Sequence, residues 1–191
     1  MVMPRMAPRL LRGHFTVADY HRLAETGVLE PDARVELLDG QVVDMSPIGS
    51  RHAGTVKWLS RRLGSLLGDR AILGVQDPVV LDEYSEPEPD IAVLEPRADF
   101  YREAHPRASD VLLIVEVADA TLEKDRDIKV PLDARGGIRE VWIVDLNADR
   151  VEVYRDPRDG DYESQAIRMR ADTLTMLAFP DVALRVDELI Q

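Results

Sequence analysis

The chain has 191 residues, 45% of them hydrophobic and 31% charged, with 36 acidic against 24 basic side chains and a net charge of −12. This length and apolar share suit one domain with a sizeable core rather than a disordered chain, and the acidic excess argues against a broad basic nucleic-acid surface while leaving local basic patches open. With no cysteine, disulfides, thiolate metal sites and cysteine nucleophiles are excluded. No apolar run reaches the roughly 18–20 residues of a membrane span.

Residues 1–14, rich in proline and arginine, read as a flexible N-terminal arm, and residues 15–191 as a single domain. The arm lacks the apolar segment of a secretory leader, so a cytoplasmic protein is expected. Thr16 to Asp19 has the form of a capping box, opening a helix that carries Val17, Tyr20 and Leu23 and stops at Gly27. RVELLDGQVVDM then joins two β-prone runs through Asp39-Gly40, the dipeptide favoured in two-residue hairpins. From Ser50 to Leu67 the period turns helical, with Val56, Leu59, Leu63, Leu66 and Leu67 on one side. Lys57, Arg61 and Arg62 on this helix read as a solvated face, with phosphate contact as the alternative.

AILGV and PVVLD are expected to form a second strand pair. The proline-rich EYSEPEPD leads into a short strand at Ile91, and the polar segment from Glu95 to Ser109 either covers a site or connects. Val111–Val117 and EVWIVDL are near-continuous apolar runs, as in strands covered on both faces, with a helical segment between them. That order predicts a crossover unit with a parallel pair. RVEVYRD and DYESQAIRM, around a turn at Arg158 to Asp161, predict a terminal hairpin. The whole reads as an α/β fold with a mixed sheet flanked by helices and β-hairpin additions at both ends.

The chemistry concentrates between Pro87 and Lys129. Asp90 opens the apolar run Ile91–Leu94, and Glu116 interrupts the aliphatic run Leu112–Val117. A carboxylate inside a buried strand needs a cation, a metal ion or a wet strand end to offset its desolvation. At about 100° per residue, Leu122, Asp125, Ile128, Lys129, Leu132 and Asp133 fall on one side of a helix. Asp125 and Lys129 thus either share the face turned to the sheet or form an ordinary i,i+4 ion pair, and Pro131 predicts a kink or a late helix start. Two carboxylates on neighbouring strands suit Mg²⁺, a cation of oxygen ligands, with Mn²⁺ as the alternative. A metal there would activate a water, and a lysine would orient it or stabilise developing charge, which is the chemistry of phosphodiester hydrolysis. The structural alternatives are a wet strand start for Asp90, an ion pair for Lys129, a strand-surface glutamate for Glu36 and a helix-cap or surface residue for His52. Asp145 is expected to close a strand.

From about Phe15 to Tyr154 the chain resembles the PD-(D/E)XK nuclease superfamily, and within it the Uma family of restriction-endonuclease-like proteins. The resemblance rests on the order and spacing of VELLDGQVV, SRHAGTV, EPDIAVL and IVEVADATLEKDRDIKVPL followed by GGIREVWIVDL. It implies a restriction-endonuclease-like core, DNA as substrate, Mg²⁺ as cofactor, Asp90 as the aspartate of the PD motif and Glu116 as the second acid. Ala118 stands where the superfamily's usual lysine would fall, so Lys129 on the following helix takes that place, with Lys124 as the alternative. The resemblance also makes Glu36 a supporting metal ligand, matches His52 to a family histidine without a role, and leaves Asp125 accessory. Asp133 stands where relatives usually carry tyrosine; it is expected either to pair with Lys129 or to be solvated. A homodimer follows by analogy with double-strand cutters. Two other functions compete: an inactive binding module with the same fold, and a metal-dependent hydrolase of small phosphate esters.

Overall fold

The structure is a computed structural model and describes residues 13–30 and 32–190, so most of the expected arm lies outside the described residues. Helix α1 (Val17–Glu25) begins on the predicted capping box: the Asp19 amide donates to the Thr16 hydroxyl oxygen at 3.1 Å, and the Thr16 amide donates back to the Asp19 carboxylate at 3.2 Å. Strands β1 (Val35–Leu38) and β2 (Gln41–Asp44) form the predicted hairpin. Its turn residues Asp39 and Gly40 both have positive φ, as a two-residue type I′ turn requires. A side chain at Gly40 would also collide with the His14 ring.

Helix α2 (Ser50–Leu67) occupies the predicted span and buries Val56, Leu59, Leu63 and Leu67. Strands β3 (Ile72–Gly74), β4 (Ile91–Leu94) and β5 (Val111–Ala118) follow. The expected pairing of AILGV with PVVLD does not form. β3 pairs antiparallel with β4, and Val80 makes only an isolated bridge to Arg107. Asp77 caps the Val75 amide and Pro78 lacks a donor, which turns the chain away from a hairpin return.

Next come α3 (Leu122–Lys124), a π turn over Asp125–Lys129, and α4 (Val130–Gly136), which ends at Gly137 in the left-handed conformation. Then follow β6 (Glu140–Asp145), β7 (Arg150–Arg158), β8 (Asp161–Met169), β9 (Thr173–Thr175), β10 (Ala183–Arg185) and α5 (Val186–Leu189). The main sheet runs β3-β4-β5-β6-β7-β8, with β5 and β6 parallel, as the crossover predicts, and its other neighbours antiparallel. The C-terminal hairpin β7–β8 is therefore not an appendage but an extension of this sheet. Asp145 does close β6, capping the amides of Asn147 and Ala148.

Two apolar layers sandwich the sheet. On one face α2 packs Val56, Leu59 and Leu63 against Ile91, Val93, Leu113, Val115 and Val117. On the other, Val130, Leu132 and Ala134 of α4 pack with Ala92, Ile114, Ala118 and Ile143. Alternation places Glu116 on the α4 side of β5, with Ile114 and Ala118. The segment from Glu95 to Ser109 connects rather than covers: Phe100, Tyr101 and His105 line a separate surface cavity beside β3. No helix among the described residues is long and apolar enough to cross a membrane.

Candidate active site

The antiparallel register sets the two strand carboxylates side by side. Ile91 is the partner of Val115, so Asp90, one step before β4, lies next to Glu116, one step further along β5. The Asp90 amide donates to Glu116 Oε2 at 3.3 Å, and the Val117 amide donates to Asp90 Oδ2 at 2.9 Å. These cross-donations fix both carboxylates at the end of the β4–β5 pair, where the alternation of β5 turns Glu116 towards the crossover helix.

Lys129 arrives from that helix and places Nζ 2.5 Å from Glu116 Oε1, 3.6 Å from Glu36 Oε2 and 3.4 Å from the Glu88 carbonyl. The π turn sets this up. The Val130 amide bonds to the Asp125 carbonyl, five residues back, which admits one more residue per turn than an α-helix. In an α-helix, residues five apart point about 140° away from each other; across the π turn they stack. Lys124 and Lys129 therefore reach the same carboxylate: Lys124 Nζ lies 2.6 Å from Glu36 Oε1.

The same turn corrects the predicted stripe. Asp125, Lys129, Leu132 and Asp133 are buried, but Ile128 is rotated out and 46% exposed. Nor does Asp125 pair with Lys129; it accepts the Thr121 hydroxyl at 2.6 Å. Pro131, rather than kinking the segment, sits in the first turn of α4, where its missing N–H costs least.

Glu36 is not a strand-surface residue. It is buried in β1, accepts the Glu88 amide at 3.2 Å and holds both lysines. His52, near the start of α2, is neither a cap nor a surface residue. Gly49 is the N-cap, and His52 Nε2 lies 2.9 Å from Asp90 Oδ2, while Nδ1 is buried without a partner among the described residues. Two further residues with no role assigned from the sequence belong here. Gln76 donates its amide to Asp90 Oδ1 at 3.2 Å, and Glu88 lines the same cleft. Gln76 has a positive φ, uncommon for this residue type, which no sequence pattern announced. Asp133 neither pairs with Lys129 nor meets solvent: it is 3% exposed and makes no ion pair among the described residues.

Charge and burial compete throughout. Burial pushes the Glu116 carboxyl well above its usual range, with the Lys129 ammonium opposing and Asp125 and Asp90 reinforcing the shift. Burial also works against the charge on Lys129, but Glu116, Glu36 and Asp125 outweigh it and raise its pKa. For Asp90, burial is outweighed by the His52 contact and the Val117 amide, which together lower its pKa. For Glu36 the two lysines likewise prevail over burial and lower it. The cleft holding these groups has a volume of about 190 Å³. Its lining carboxylates, Glu36, Glu88, Asp90, Glu116, Asp119 and Asp125, outnumber its cations, Arg34, Lys124 and Lys129. Lys57, Arg61 and Arg62 of α2 do not line the cleft: Lys57 and Arg61 are exposed, and Arg62 pairs with Glu188 at 2.8 Å.

The comparisons agree with this architecture. The model of the Uma2 family, described as "Putative restriction endonuclease", matches residues 17–187. Among solved structures, the chain is similar to a protein from Anabaena variabilis described as "a putative nuclease belonging to DUF820". The TM-score is 0.71 at 14% identity, over 92% of this chain and 97% of that one. None of the curated proteins matches the chain.

Proposed function

We propose that this chain, which belongs to the Uma2 family of restriction-endonuclease-like proteins, is a Mg²⁺-dependent endonuclease of PD-(D/E)XK type that hydrolyses DNA phosphodiester bonds. The observation that carries the reading is the convergence of Asp90 and Glu116 at a cleft, with Lys129 2.5 Å from Glu116. A domain without catalytic work has little reason to bury two carboxylates there at the cost of their hydration.

The residues fit a hard divalent cation. The donors are oxygens, and negative charge exceeds positive around the cleft. Among the described residues no group of three or more His, Asp or Glu side chains is disposed to hold a metal. That count does not oppose Mg²⁺, which commonly takes one or two carboxylates and completes its shell with water and phosphate oxygens. Asp90 and Glu116 would hold the ion, which supplies an acidified water and neutralises phosphoryl charge. The water oxygen adds to phosphorus, the P–O bond to the leaving alkoxide breaks, and the water's proton passes to solvent as the alkoxide takes one up.

The chain's own groups prepare this step. His52 and the Val117 amide hold Asp90 ionised and oriented. Lys129 orients Glu116 and opposes the burial that pushes its carboxyl up, and its three contacts direct it to protein oxygens rather than to the attacking water. Plasmid nicking in Mg²⁺ or Mn²⁺ tests the reading. Wild type should nick and Glu116→Ala should lose at least a hundredfold; a wild type inert in both metals counts against it. The small cleft gives some support to a second reading, hydrolysis of small phosphate esters, and release of nitrophenol from bis-nitrophenyl phosphate by a chain inert on plasmid would favour that. Double-strand cutting would require two copies, and gel filtration showing only monomer at high concentration would remove the homodimer.

A further inference from the structure

We propose that Lys124, not Lys129, is the lysine that meets the substrate phosphate, and that Glu36 is a positioning residue holding the lysine pair rather than a metal ligand. The inference rests on the nuclease reading above and deepens it.

The argument is one of donor supply. An ammonium carries three N–H donors. Those of Lys129 face Glu116, Glu36 and the Glu88 carbonyl, and its side chain is 6% exposed. To touch a substrate it would have to leave Glu116, stranding a buried carboxylate. Lys124 differs on both counts. Its side chain is 21% exposed at the cleft, and Glu36 Oε1 at 2.6 Å is its ion partner among the described residues. Of its three donors, one is engaged by that ion partner, and the side chain lines the cleft.

Glu36 shows the complementary pattern. Oε1 is taken by Lys124, while Oε2 accepts the Glu88 amide and faces Lys129 at 3.6 Å. A cation at Glu36 would meet an ammonium at either oxygen, whereas Glu116 faces one ammonium, at Oε1 alone. The π turn is what makes one carboxylate sufficient for two lysines five residues apart. Lys129 is thereby fixed to the protein side of the site and Lys124 to the solvent side.

The test uses the full chain and a short fluorescein-labelled duplex oligonucleotide, with Ca²⁺ as the hard cation, read by anisotropy across a salt series. Mn²⁺ affinity is measured in parallel by calorimetry, and folding by urea midpoint. Lys124→Gln should weaken oligonucleotide binding about tenfold and reduce the slope of log K against log salt by about 0.9, one phosphate contact. Lys124→Arg should restore both. Glu36→Gln should weaken oligonucleotide binding comparably while leaving Mn²⁺ affinity unchanged. Unchanged affinity and slope in Lys124→Gln would overturn the role of Lys124, and a tenfold loss of Mn²⁺ affinity in Glu36→Gln would overturn that of Glu36. If wild type nicks plasmid while Lys124→Gln binds as wild type does, the inference fails and the nuclease reading stands. If wild type neither binds nor nicks, both fail.

Discussion

Lys129 Nζ lies 2.5 Å from Glu116 Oε1, and both side chains are less than a tenth exposed. Each favours the charged form of the other, against a burial that works against both charges. Removing one partner of such a pair costs roughly 3–5 kcal/mol, while replacing both by apolar groups is far less damaging. Lys129→Met should therefore destabilise the chain by about that amount in urea unfolding. The double variant Lys129→Met/Glu116→Leu should recover most of it. Additive losses in the double variant would show that the two charges do not support one another.

The buried Asp133 predicts a pH dependence. Burial raises its carboxyl from 3.8 to about 7, against the pull of Lys129. A carboxyl whose folded pKa exceeds its unfolded one binds its proton more tightly in the folded state, so its stabilising contribution is present at low pH. It is lost as the pH climbs from about 4 through about 7. Asp133→Asn removes this dependence. Relative to wild type it should gain roughly 2–4 kcal/mol between pH 4 and pH 8. Denaturant midpoints that differ from wild type by the same amount at both ends would refute the assignment.

The π turn can be tested by its length. Asp127 is exposed, and its deletion would convert the turn at Asp125–Lys129 to α-helical spacing. Lys124 and Lys129 would then stand four apart and still share one face, so nicking should stay within about tenfold of wild type. The α4 packing of Val130, Leu132 and Ala134 should persist, leaving near-native circular dichroism. A hundredfold loss in a variant with near-native circular dichroism would mean that a shared face alone does not position the lysines.

Stability of the sheet against α2 depends on the stripe that faces it. Leu63 is 1% exposed among Leu113, Val115 and other residues of that layer. Leu63→Ala should cost about 2–5 kcal/mol, the usual range for a core leucine that leaves a cavity. A loss below about 1 kcal/mol would place the main support of the sheet elsewhere.

What could be read from the sequence was what is local. The α2 stripe, the Thr16–Asp19 box and the Asp39-Gly40 turn each depend on residues a few positions apart, and all three form as expected. The strand–helix–strand order likewise gave the parallel β5–β6 pair. Asp90 and Glu116 stood out because carboxylates in aliphatic runs are costly, and the register brings them together. The partner of His52 did not stand out, because Asp90 is 38 residues away and only the packing of the start of α2 against the sheet end joins them. The exposure of Ile128 and the shared grip of Glu36 were hidden for another reason. A periodicity of 3.6 residues was assumed through a segment that locally winds more widely. PVVLD looks like a strand by composition, yet the place beside β3 is taken by β4.

The most direct measurement of the central claim is a calorimetric titration of Mn²⁺ into wild type, Asp90→Asn and Glu116→Gln. Both substitutions keep the side-chain shape while removing the negative charge. Wild type should bind one ion with micromolar affinity or weaker, and each variant should lose at least tenfold, a known cost when a carboxylate ligand is neutralised. Wild-type binding that is unaltered in both variants, or no binding at all with and without duplex DNA, would contradict a metal site at Asp90 and Glu116.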